Sequence, residues 1–203
     1  GSITLITLNA SEPGNTVNYS ASGDQVIRPI PYHHLTLSGS GAKDLTGLTT
    51  VNGSLTLSGA VSAVTQADLA IGSNLAIGSG TSLTVGEYAF SVEGTTSVTG
   101  ALNFGGVAGL KLLNNTVTVN PGGTWNNAGG TAVTFHWGLT HNGANFTSGT
   151  GLFTFDTNNQ VIGGTRPATI ANLAIPAGIT ITNNLTGTGV LAITPSLTGE
   201  GAL

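Results

Sequence analysis

Short apolar-polar-apolar triplets recur along this chain at a fixed distance, and that spacing limits its fold more than any other feature. Leu35-Thr36-Leu37, Leu55-Thr56-Leu57 and Leu75-Ala76-Ile77 start 20 residues apart. Val133-Thr134-Phe135, Phe153-Thr154-Phe155 and Leu173-Ala174-Ile175 repeat the 20-residue step, and Leu191-Ala192-Ile193 follows after 18. Between 77 and 133 triplets such as Leu83-Thr84-Val85 and Val117-Thr118-Val119 persist, but the strict register is lost. Alternation with period two sends the outer residues of a triplet to one face and the central one to the other. Each triplet therefore reads as a short strand, aliphatic inside and hydroxyl outside, ended by Ser, Gly or Asn.

A fixed period near 20 residues marks a solenoid, because one such unit cannot bury its apolar face alone. Stacking equivalent triplets as parallel strands about 4.8 Å apart predicts an all-β chain, a parallel β-helix with coils of about 20 residues. Parallel crossovers are right-handed, so the expected helix is right-handed. Roughly ten coils make a rod on the order of 45–50 Å long. Further triplets, Leu48 to Val51 and Asp68 to Ile71, predict two or three strands per coil, joined by Gly/Asn turns.

The 203 residues suit a single domain, 1–203, with a sizeable core. Charged residues make up 6% of the chain, against a usual ~25%, so Thr, Ser, Asn and Gly must supply the wet surface. A hydrophobic fraction of 39% excludes a disordered chain. Four Lys/Arg and a net charge of -4 exclude nucleic-acid partners and docking on anionic lipid. No apolar run approaches the ~20 residues of a membrane helix. With no cysteine, disulfides and thiolate metal sites are excluded. There is no methionine, even at position 1, which predicts a processed piece of a longer protein whose secretion signal lay elsewhere. Gly1-Ser2 is set aside as a cloning remnant.

A longer similarity links residues 17–37 with 153–175: Gln25-Val26-Ile27 corresponds to Gln160-Val161-Ile162, and a strand triplet follows in both. The expected organisation is one long repeat over about 15–149 and the start of a second over about 150–203. This repeat resembles one found in very large secreted surface proteins of Bacteroidetes-type bacteria. There a short strand and a polar Asn/Gly turn precede Gln-apolar-Ile, an aromatic or polar patch, Asn-or-His-Leu-Thr-Leu, and Ser-Gly turns. His33-His34-Leu35-Thr36-Leu37-Ser38-Gly39-Ser40-Gly41 matches that run, residues 150–195 match more loosely, and 80–130 match in general character. The resemblance implies a right-handed β-helix exported to the bacterial cell surface, with adhesin-like roles. It carries over no catalytic residue.

Parallel β-helices also include polysaccharide lyases and glycosidases, which need clustered carboxylates. Of the eight acids, Asp24 with Asp44 and Asp44 with Asp68 have spacings that could stack them on neighbouring coils; solvated turn acids are the favoured reading. His33 and His34 should point to opposite faces of a strand and so cannot easily share an ion. His136 and His141 could meet through a turn at Gly138, but exposed strand-edge histidines are the favoured reading. Asp156-Thr157-Asn158-Asn159 offers oxygen ligands for Ca²⁺, yet Asx-type turns account for it. Gly105-Gly106 and Gly129-Gly130 read as turns, since no Gly-Lys-Ser/Thr follows. Tyr19, Tyr32, Tyr88, Trp125 and Trp137 could form a carbohydrate platform or pack on the aliphatic stack. Thr36 and Ser38 should lie beside Thr56 and Ser58 in a hydroxyl grid like an ice-binding face. That grid breaks at Ala76 and Gly78, and Thr suits strands generally.

No catalytic, cofactor or metal residue is therefore assigned. The expected function is a structural or adhesive extracellular rod, a stalk or filament-forming segment without catalysis. The alternatives are a carbohydrate-active β-helix enzyme or glycan-binding module, and, behind them, an ice-binding solenoid. Leu197 to Leu203 reads as an ongoing repeat, and Ile3-Thr4-Leu5-Ile6-Thr7-Leu8 as an apolar alternating strand. Both ends are expected to pair, with neighbouring repeats of the parent chain or end to end with another copy. Surface glycans are the other expected partner.

Overall fold

In a computed structural model of the chain, residues 9–203 are described; the strand expected over 3–8 lies outside them. The described residues form 24 strands and no helix. All strand pairs are parallel and fall into three sheets of nine, seven and eight strands, called sheets 1, 2 and 3 here. The chain visits them in turn. His34–Leu37 lies in sheet 1, Ser40–Asp44 in sheet 2, Thr50–Val51 in sheet 3, and Leu55–Leu57 is back in sheet 1. A parallel neighbour can only be reached by a crossover, and here the other two sides of the coil are that crossover. The result is the expected parallel β-solenoid, with about nine turns spaced about 21 residues apart.

Register explains why the 20-residue spacing fades and returns. Leu35, Leu55 and Leu75 are successive partners in sheet 1. Val133, Phe153 and Leu173 are also successive partners, but in sheet 3. The two 20-residue series therefore lie on different sides of the coil. Between them the coils are longer: Lys111 partners Val133, and Val117 partners Leu139. The 18-residue step to Leu191 is not a coil. Leu191 and Ile193 pair with Ala168 and Ile170, while Leu173 pairs with Leu197, with an irregularity between Ile170 and Asn172. Ala168–Ala174 is a seven-residue strand with two inward stretches, and the later triplet joins the first. Gln25–Val26 belongs to sheet 2 and Gln160–Gly164 to sheet 1.

The core is a set of inward columns, one residue per coil. In sheet 1, Leu35, Leu55, Leu75, Thr96, Val117, Leu139 and Ile162 follow one another, all buried. Each such aliphatic side chain contributes roughly 1.5–3 kcal/mol when covered, and its cover is the coil above and below. The early coils are filled by Leu, Ile and Val. Later coils are filled by Phe104, Trp125, Phe135, Phe153 and Phe155.

The Ser-Gly that follows the triplets has a steric cause. At the corner from sheet 1 to sheet 2, Gly39 and Gly59 both have φ of 78°. A Cβ on Gly59 would lie 2.4 Å from the Gly39 carbonyl oxygen, which accepts the Ala60 N–H at 2.8 Å. Left-handed backbone costs an L-residue about 1–2 kcal/mol. Gly59→Ala should lose more than that, because the clash adds to the conformational cost. Gly122→Ala, at φ 85° with open space around it, should lose only the conformational part. Urea denaturation of the two variants checks this; equal losses would contradict it.

Candidate functional site

The structure keeps the three candidate acids apart. Asp24 Oδ1 accepts the Ala42 N–H at 2.8 Å, and Asp68 Oδ1 accepts the Ala89 N–H at 2.8 Å. Asp44 Oδ1 accepts the Thr46 N–H at 2.9 Å, the Thr46 hydroxyl at 2.7 Å and Gln66 Nε2 at 2.9 Å. The Thr46 bonds hold the Asp44 carboxyl below its ordinary value. Asp44 sits between Val26 and Val64 in sheet 2, not over Asp24, because that first coil is short and Gln25 partners Lys43. Asp24 and Asp68 each tie a corner to the next coil's main chain, and Asp44 bonds the side chain of Gln66 on the next coil.

Of the two histidine pairs, one meets and the other separates. His33 and His34 do not point apart: their rings meet edge to face with centroids 4.2 Å apart. The strand begins at His34, so the alternation does not reach His33, which is still in the corner. Each ring accepts a main-chain N–H on Nδ1, from Gly14 at 3.2 Å and from Ser54 at 2.9 Å. His136 is outside, with Nε2 3.0 Å from Asp156 Oδ1, and His141 is inside sheet 1 beside Phe146. The φ of 96° at Gly138 turns the chain between them.

Burial, and then the charge of Arg166, lowers the His141 pKa below its ordinary 6.5. The unfolded imidazole thus binds its proton at higher pH than the folded one. Stability should fall as the pH drops from 6.5 through that lower folded value. Thermal melts from pH 7 to 5 should show a shallower acid limb for His141→Leu; an unchanged limb would contradict the assignment.

Around Asp156 the chain turns through main-chain bonds and not through the expected Asx-type turn. The Asp156 carbonyl accepts the Asn158 N–H at 2.9 Å and Gln160 Nε2 at 2.6 Å. Its carboxylate accepts the Thr157 hydroxyl at 2.9 Å. Asn159 Oδ1 accepts the Thr180 N–H at 2.8 Å. Thr157, φ 74°, is the one non-glycine with positive φ among the described residues. No group of three or more His, Cys, Asp or Glu that could hold a metal occurs among the described residues. Gly129-Gly130 lies in the corner between Thr124–Asn126 and Val133–Phe135, and Gly105-Gly106 follows Ala101–Phe104 at the same kind of corner.

The five aromatics do not form one platform. Trp125 is fully buried, and Tyr19 and Tyr32 face each other with hydroxyls 2.8 Å apart. Tyr88 and Trp137 are exposed, on different coils and at different corners. Trp137 follows His136 at the corner from sheet 3 to sheet 1.

Sequence reading missed the two buried lysines. Lys111 is 0% exposed and Lys43 1%. Lys111 Nζ donates to the carbonyls of Tyr88, Ala108 and Gly109 at 2.6, 2.8 and 2.9 Å. Lys43 Nζ donates to the carbonyls of Ala21 and Gly23 at 3.0 and 3.1 Å and to Gln25 Oε1 at 2.7 Å. Both occupy inward columns: Lys111 between Phe90 and Val133, Lys43 between Gln25 and Ala63. The signal lay in parity, since Lys111 heads the triplet Lys111-Leu112-Leu113 where other coils carry an aliphatic residue.

Fold and surface together define a parallel β-solenoid repeat protein. No family model matches the chain, and neither a curated protein nor a solved structure matches it.

Proposed function

We propose that the chain is a structural or adhesive rod, a segment of an extracellular bacterial surface protein, with the right hand usual for parallel crossovers. The observation that carries this reading is the continuity of the stack. One buried cluster runs from Ala10 to Ile181 through every intervening coil, so stiffness is built in along the axis. The Gln-Val-Ile and His-Leu-Thr-Leu runs support the secreted-surface reading through their resemblance to the large Bacteroidetes-type repeats. The chain works without catalysis in this reading. The outer main-chain groups of Leu191–Thr198 would take a further coil, from a neighbouring repeat or a second copy.

Immunolabelling of intact source cells tests the reading. Label on the unpermeabilised surface is expected, and label that appears only after permeabilisation would overturn it. A second reading, glycan adhesion, is favoured by one corner: Trp137 is 55% exposed beside the His136–Asp156 pair. An exposed ring next to polar groups can stack on a sugar face. Beads coated with the chain should then bind a neutral glycan array, and Trp137→Ala beads should lose at least about tenfold of that signal, a loss of about 1.4 kcal/mol.

A further inference from the structure

The outer face of sheet 1 carries more hydroxyl side chains than the other two. Its central column runs Thr36, Thr56, Ala76, Ser97, Thr118, Thr140 through six consecutive strands without a register shift. Neighbours in that column are about 4.8 Å apart, and outward residues along a strand recur about every 6.6 Å. On the middle four strands the flanking outward positions carry Ser54, Asn74, Thr95 and Thr116 on one side and Ser58, Gly78, Thr99 and Asn120 on the other, and His34 and Ser38 flank Thr36 on the first. None of these positions is Asp, Glu, Lys or Arg.

We infer that this face binds ice. An ice surface is neutral and periodic, so it favours small, uncharged groups at fixed spacing and penalises a fixed charge that would keep its own hydration. Thr is stiff at χ1, so its methyl and hydroxyl are held in place before binding and little ordering entropy is lost. The flanks are locked by internal bonds. Ser38 donates to Asn18 at 2.8 Å, Thr95 to Asn74 at 3.0 Å, and Asn120 to Ser97 and Thr99 at 2.8 and 3.3 Å. The hydroxyls of Thr36, Thr56, Thr118 and Thr140 stand outside that network and face outward. The gap at Ala76 and Gly78 is one coil wide, because Ser97 and Thr99 resume the columns on the next strand.

The other faces carry fewer hydroxyls and interrupt the pattern with apolar or charged side chains. The outer column of sheet 2 includes Val26, Asp44 and Val64. Sheet 3 turns out Leu112 beside exposed Leu110, along a groove of about 220 Å³. The inference is independent of the rod reading, and its failure would leave the surface-labelling result untouched.

Thermal hysteresis and ice-crystal shaping, measured on the whole chain at up to millimolar concentration, test it. The wild-type chain should shape crystals. T56K with T118K, on the sheet 1 face, should need at least about ten times the protein for the same hysteresis. Thr84→Lys and Thr134→Lys, on the outer faces of sheets 2 and 3, should match wild type, with all variants compared by circular dichroism. Absence of shaping and hysteresis in wild type would overturn the inference whatever the variants do. So would equal losses on all three faces, or retention on insoluble neutral glucan without any effect on ice.

Discussion

Replacing Trp125 with alanine is expected to destabilise the later coils by about 3–5 kcal/mol. Trp125 is fully buried in the inward column of sheet 2, between Leu102 and Phe146. Its ring lies 5.0 Å from Phe104, 5.8 Å from Phe135, 6.0 Å from Phe146 and 6.2 Å from Phe153, measured between centroids. The neighbours belong to sheets 2 and 3 and to coils on both sides, so no single coil can collapse into the space left behind. Because a solenoid is held by nearest-neighbour coils, the loss should be concentrated around this layer. Hydrogen exchange should show lost protection in Ala101–Phe104, Val133–Phe135 and Asn145–Thr147, with Leu35–Ile77 little changed. Trp125→Phe should cost much less. It keeps most of the apolar volume and removes an indole N–H that has no hydrogen-bond partner among the described residues. A cost below about 1 kcal/mol for the alanine variant, against that expectation, would show that the layer repacks.

Lys111→Ala is expected to cost about 2–5 kcal/mol. The substitution removes a fully covered side chain and strips three carbonyls, those of Tyr88, Ala108 and Gly109, of their shared donor. Lys111→Met keeps the aliphatic stem between Phe90 and Val133 and loses only the ammonium, so its cost should be smaller. The pH dependence separates charge from packing. Burial lowers the Lys111 pKa below its ordinary 10.5, partly offset by Asp68 and Glu87. Between the lowered value and 10.5 the unfolded state holds more protons than the folded state, so this lysine makes stability rise with pH there. Tyr32 acts the other way from about pH 10.0 upward, since burial and its contact with Tyr19 raise its pKa well above the ordinary 10.0. Tyr32 is common to wild type and Lys111→Met, so the difference between their stability curves isolates the lysine. Wild-type stability relative to Lys111→Met should be lowest at neutral pH and rise as the pH approaches 10.5. A constant difference would mean that Lys111 keeps its ordinary affinity for the proton.

Much of this architecture was legible in the triplets. Leu35, Leu55 and Leu75 stack as their 20-residue spacing requires, and central residues such as Thr36 and Thr56 face outward as alternation requires. The candidate sites were less legible. Asp24 and Asp44 miss each other because the first coil is short, and His33 escapes alternation because it precedes its strand. A few residues of coil length decide which side chains become neighbours, and corner lengths leave no period to read.

The amino-acid sequence by itself determined the parallel stack, since no coil of this length can cover its own aliphatic face, and it determined the glycines at corners where a Cβ has no room. Only the tertiary structure decided on which side of the coil each series falls, that Lys43 and Lys111 point inward, and that the hydroxyl column resumes at Ser97 beyond Ala76. Those are properties of register between coils. Register is set by the summed length of three strands and three corners, and no local run of residues encodes that sum.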